Sequence, residues 1–75
     1  MATREGKLMK VDTGRWAIKY DDQYDYEEIT SGEVFEIQIL GVWHKVRMES
    51  RDRGYYSVPS FPLKEGLGAR NNIWR

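Results

Sequence analysis

Gly32-Glu-Val-Phe-Glu-Ile-Gln-Ile-Leu-Gly-Val-Trp-His-Lys-Val-Arg-Met-Glu49, followed shortly by Gly54-Tyr-Tyr56, decides the fold. Side chains along a strand point alternately to opposite faces. Phe35, Ile37 and Ile39 therefore share one face while Glu36 and Gln38 share the other. That is the pattern of a half-wet antiparallel sheet. Leu40-Gly41 joins two such strands, and the charged turn Ser50–Gly54 leads into a third over Tyr55–Val58.

Reading outward from this hairpin, Lys7–Val11 and Arg15–Tyr20 form a second pair of strands. Asp12-Thr13-Gly14 is a three-residue loop between them, with a glycine available for positive φ. Trp16, Ile18 and Tyr20 share a face. Residues 1–6 read as a frayed terminus. Asp21–Ser31 lacks periodicity and reads as an acidic, tyrosine-rich loop, or as a short helical turn near 22–29. Pro59 and Pro62 cannot donate to a ladder, so Pro59–Lys64 is a connection. Gly66–Arg70 is a candidate last edge strand, with Ile73 and Trp74 pinning the terminus. Residues 1–75 thus make one mainly β domain: a small curled antiparallel sheet, an SH3-like open barrel of five to six short strands. A three-to-four-stranded meander with one helix over 22–29 is the alternative.

Seventy-five residues lie near the lower limit for an unaided core. Cysteine is absent, so no disulfide or thiolate metal site contributes. Ten aromatic residues are the substitute, and self-association into a homodimer is a second route to stability. No signal peptide or spanning segment is legible, so no membrane partner is expected and a cytoplasmic location is. Net charge is zero, yet residues 1–37 carry five basic and nine acidic side chains, and residues 38–75 seven and three. Bulk charge points to neither nucleic acid nor membrane.

Two surfaces stand out. Tyr20–Glu28 holds five carboxylates, three tyrosines and no base. As a displayed loop it suits a basic protein groove, and Tyr24, Asp25, Tyr26 and Glu27 are the expected partner contacts. As a calcium site, Asp21, Asp22, Asp25 and Glu28 lack the spacing and central glycine that such a loop needs. The plain alternative is a solvated loop whose tyrosines lean on the barrel. The second surface is Trp43, Lys45 and Arg47 on one strand face, extended by neighbouring Arg51, Arg53 and Arg70. Aromatic-plus-basic stripes stack bases and neutralise phosphates. The plain alternative has Trp43 half-buried under the basic stems.

Nothing here assembles catalysis. His44 is a lone imidazole, and Ser31, Ser50, Ser57 and Ser60 sit beside turn residues with no base in view. Gly66-Leu67-Gly68 lacks the context of a phosphate loop. The expectation is a non-enzymatic module with no cofactor or metal. A nucleotide-sized ligand would need a pocket that so small a core has little volume for.

Gly6-Lys-Leu8, Gly14-Arg-Trp16, Ser31-Gly-Glu33-Val-Phe-Glu36, Gly41-Val-Trp43, Val46-Arg-Met-Glu49, Gly54-Tyr-Tyr56 and Gly66-Leu67 through Arg70 together resemble a family of small domains of unknown function. Those domains occur in Gram-positive bacteria, their phages and their mobile elements. The resemblance spans roughly residues 6–70 and implies a setting rather than a chemistry. In that setting small proteins bind host or defence proteins, or serve as accessory factors in transfer, replication or transcription. The acidic tyrosine segment and the Ile73-Trp74-Arg75 tail depart from the pattern.

Overall fold

Seven strands carry nearly all the regular structure: β1 (Ala2–Lys10), β2 (Trp16–Tyr20), β3 (Tyr26–Glu28), β4 (Val34–Ile39), β5 (Val42–Arg51), β6 (Gly54–Val58) and β7 (Gly68–Ile73). The computed structural model describes residues 2–21, 26–52 and 54–73. The strands form one antiparallel sheet in the order β3-β2-β1-β7-β4-β5-β6. No helix occurs among the described residues, so none is long and apolar enough to cross a membrane.

Turn chemistry sets the two hairpins. Gly14 N–H donates to the Val11 carbonyl at 2.8 Å and Val11 N–H to the Arg15 carbonyl at 2.9 Å, with Gly14 at φ 88°. Leu40 and Gly41 lie at φ 50° and 80° between the paired Ile39 and Val42. Those angles mark a two-residue type I′ turn, whose twist matches the flanking strands.

Alternation then sorts the side chains as the sequence predicts. Trp16, Ile18 and Tyr20 of β2, Phe35 and Ile37 of β4, and Val46 and Met48 of β5 are buried in one cluster with Leu8, Ile29 and Ala69. Ile39 packs on it half-buried, as do Phe61 and Leu63 of the 59–67 connection. Residues from β2 and β5 share this core although three strands separate them in the sheet order, so the sheet must curl into a half-barrel. Arg15 spans the gap, ion-pairing with Glu28 of β3 at 3.5 Å and interacting electrostatically with Tyr55 of β6.

Four expectations are corrected. The terminus read as frayed over residues 1–6 is paired from Ala2 onward, Ala2 lying opposite Ile73 and Gly6 opposite Ala69. Its polar run carries no strand signal of its own; β7 supplies the ladder. The strands number seven among the described residues, where five to six were expected. Tyr26–Glu28, read as loop or helical turn, is instead a stub strand with Ala17 opposite Glu28. Finally, β7 is the central strand, bridging β1 and β4, and not an edge.

Candidate functional site

Edge strand β3 displays the one aromatic side chain that, among the described residues, the fold leaves exposed. Every described aromatic residue except Tyr26 is buried or half-buried, whereas Tyr26 is 46% exposed. Its backbone lies opposite Lys19, and β3 pairs on one side only, with β2. Beside it is an open cleft of about 470 Å³ between β3 and the β1–β2 hairpin, where Tyr26 and Glu28 meet Met9, Lys10, Val11, Asp12 and Thr13. Met9, Val11 and the Tyr26 ring supply apolar wall. Asp12 and Glu28 supply carboxylates at the rim. The Lys10 ammonium sits 5.6 Å from the centre of the Trp16 ring, and its backbone N–H donates to Glu65 at 3.0 Å.

Arg15 borders the same edge. Its side chain is about half exposed, 46%, and its pKa is raised by Tyr55 first and by the charge of Glu28 after that. Of the contacts expected from the sequence, Tyr26 stands free at the surface. Glu27 is exposed but accepts a hydrogen bond from the Tyr20 hydroxyl at 2.9 Å. Tyr24 and Asp25 lie outside the described residues, as do Asp22 of the calcium reading and Arg53 of the basic face. Among the described residues no group of three or more His, Asp or Glu side chains could hold a metal ion. Met9, Val11, Asp12 and Glu28 were not anticipated as neighbours of Tyr26. Only the β1–β2–β3 pairing brings them there.

Trp43, Lys45 and Arg47 do share the outer face of β5, with Arg70 across β4. Arg70 donates through Nε to Glu36 at 2.7 Å, and its guanidinium carbon lies 4.1 Å from the centre of the Trp43 ring. The register lines up Glu5, Arg70, Glu36 and Lys45 across four strands, acid alternating with base. Arg47 pairs with Glu49 on its own strand. The half-buried tryptophan of the plain alternative is what the fold contains, but Arg70 covers it where Lys45 and Arg47 were expected to.

The family model described as "Domain of unknown function (DUF5348)" matches residues 7–71. The chain belongs to the DUF5348 family. In this DUF5348 domain the matched span takes in all of β2 to β6, the last four residues of β1, and β7 as far as Asn71. No curated protein and no solved structure matches the chain.

Proposed function

We propose that this domain is a non-enzymatic binding module that engages a protein partner through the surface around Tyr26. The observation that carries the reading is the exposure of Tyr26 at the free edge of β3, beside a cleft of apolar wall and carboxylate rim. Tyrosine gives contact area with few torsions to freeze. The acidic run Tyr20–Glu28 around it favours a partner with a basic face, and Tyr24, Asp25 and Glu27 extend the contact. The setting is the cytoplasm of a Gram-positive host, where a phage or mobile element uses the domain against a host or defence protein. The test is affinity capture with the wild-type domain, followed by titration of each purified captured protein against Tyr24→Ala plus Tyr26→Ala. At least a tenfold loss is expected. Undiminished binding removes this surface from the account.

The rival is a nucleic-acid accessory factor using Trp43, Lys45, Arg47, Arg53 and Arg70. It is less supported, because Arg70 and Arg47 are paired with Glu36 and Glu49 and Lys45 lies in an alternating row. It predicts oligonucleotide binding that weakens steeply with salt. Micromolar binding to any single- or double-stranded probe at low salt would favour it over the protein reading.

A further inference from the structure

The hydrogen-bond phase of β3 decides what its open edge offers. Ile29 N–H donates to the Trp16 carbonyl at 2.8 Å, one step beyond the Ala17–Glu28 pair. Opposed residues in an antiparallel ladder alternate between hydrogen-bonded and non-bonded pairs. Ile18 and Glu27 are therefore bonded to each other, whereas Tyr26 and Glu28 aim their backbone N–H and C=O groups away from β2. Among the described strands β3 pairs with β2 alone, so these four groups face the open side in the spacing another strand uses. The sheet's other edge, β6, is not open in this way: its Ser57 is 1% exposed.

Charge then selects what can pair there. Edge strands commonly deter pairing with lysine or proline, and Tyr26-Glu27-Glu28 contains neither. It carries a carboxylate on each face instead: Glu28 lies with Ala17 on the outer face and Glu27 with Ile18 on the inner one. Glu27 accepts its hydrogen bond from the neutral Tyr20 hydroxyl, which leaves its charge in place. Glu28 lies 3.5 Å from Arg15 in a half-exposed pair, of the kind that contributes little. A second copy pairing through this edge about a two-fold axis at Glu27 would set that carboxylate against itself. A basic strand would instead meet opposite charge on both faces.

We propose that β3 takes an eighth strand from its partner, an extended basic segment laid antiparallel along Tyr26–Glu28. Its backbone bonds to Tyr26 and Glu28, as strands added to sheet edges do. Basic side chains stand opposite Glu27 and Glu28, and an apolar one lies against the Tyr26 ring at the cleft that Met9 and Val11 help to line. This rests on the reading of the Tyr26 surface as a protein contact, to which it adds the partner's form and charge.

The probe is the peptide acetyl-Thr-Thr-Arg-Arg-Val-Thr-Thr-amide, whose arginines fall opposite Glu28 and then Glu27, and whose valine falls opposite Tyr26. So short a site predicts a Kd of about 0.1–1 mM, within reach of an NMR titration of the isotope-labelled full chain to about 5 mM peptide. The Tyr26 and Glu28 amides should shift and gain protection from hydrogen exchange. Glutamate in place of both arginines should weaken binding by about tenfold or more. Backbone N-methylation of the valine or of the first arginine blocks a group aimed at β3 and should abolish binding. The same change on the second arginine points away from β3 and should alter binding by less than about twofold. Silent Tyr26 and Glu28 amides, equal effects of the two arginine methylations, equal binding of the glutamate peptide, or shifts confined to the Trp43 face each overturn the added strand. The Tyr26 surface itself stands or falls separately, by whether a protein partner loses affinity for Tyr24→Ala plus Tyr26→Ala.

Discussion

The buried hydroxyl of Tyr20 donates to Glu27 at 2.9 Å, fastening the short edge strand β3 to β2. Burial first, and then Glu27, pushes the Tyr20 pKa up from 10.0 to about 12. The folded chain therefore keeps a proton that the unfolded chain releases above pH 10. The stabilisation is complete below pH 10 and is lost as pH rises through about 12. Glu27 is exposed, so screening limits the effect to roughly 1 kcal/mol. Urea denaturation of wild type and Tyr20→Phe checks it: the variant should be about 1 kcal/mol less stable at pH 8, and the gap should close as pH approaches 12. A constant gap across that window would remove the titration from the account.

Gly6 is required by contact rather than by conformation. A Cβ there would lie 2.1 Å from the Lys19 carbonyl oxygen, which is backbone and cannot swing away. Gly6→Ala must part β1 from β2 and should cost about 3 kcal/mol or more, close to the whole stability of so small a domain. Gly14 has open space around it and a φ of 88°, so Gly14→Ala meets only backbone strain, about 1–2 kcal/mol. Chemical denaturation of both variants gives the order, and a Gly6→Ala milder than Gly14→Ala would contradict the close approach.

Ser57 is buried, and its hydroxyl serves two backbone groups, accepting from Phe61 N–H at 3.0 Å and donating to the Pro59 carbonyl at 2.9 Å. It thereby holds the start of the connection that lays Phe61 against the core. Ser57→Ala should cost about 1–3 kcal/mol through the two groups left unpaired. Amide hydrogen exchange should locate the loss: Phe61 N–H exchanges faster in the variant while Ile37 N–H in the centre of β4 follows only the global change.

How much of this was legible follows from which contacts are local. Phe35, Ile37 and Ile39 alternate with Glu36 and Gln38, so β4 and its inward face could be read directly, and Leu40-Gly41 announced the turn. Strand β7 could not. Gly68 sits so close to Gln38 that a Cβ would lie 3.1 Å from its Oε1, and Ala69 is fully buried, so a central strand is built from residues without apolar alternation. Strand β3, at three residues, is shorter than any period can reveal. The site divides the same way. Composition singled out Tyr26, but its neighbours Met9 and Val11 arrive through pairing with β2, and the tie from Arg70 to Glu36 spans 34 positions of sequence.

That tie gives the most direct test of whether the Trp43 face is a structural assembly. Arg70 bonds Glu36 through Nε and lays its guanidinium over Trp43, with both partners of the ion pair largely shielded from solvent. Lysine keeps the charge but has no planar group and no Nε donor. Arg70→Lys should therefore cost nearly as much as Arg70→Ala, about 1–2 kcal/mol, with Trp43 emission shifting to the red in both. A double-mutant cycle with Glu36→Gln should return a coupling of roughly 0.5–1.5 kcal/mol that changes little between 0.1 and 1 M salt, because the pair is shielded. If Arg70→Lys behaves as wild type, or the coupling vanishes with salt, Arg70 is an ordinary surface cation. The basic face is then open to phosphate after all.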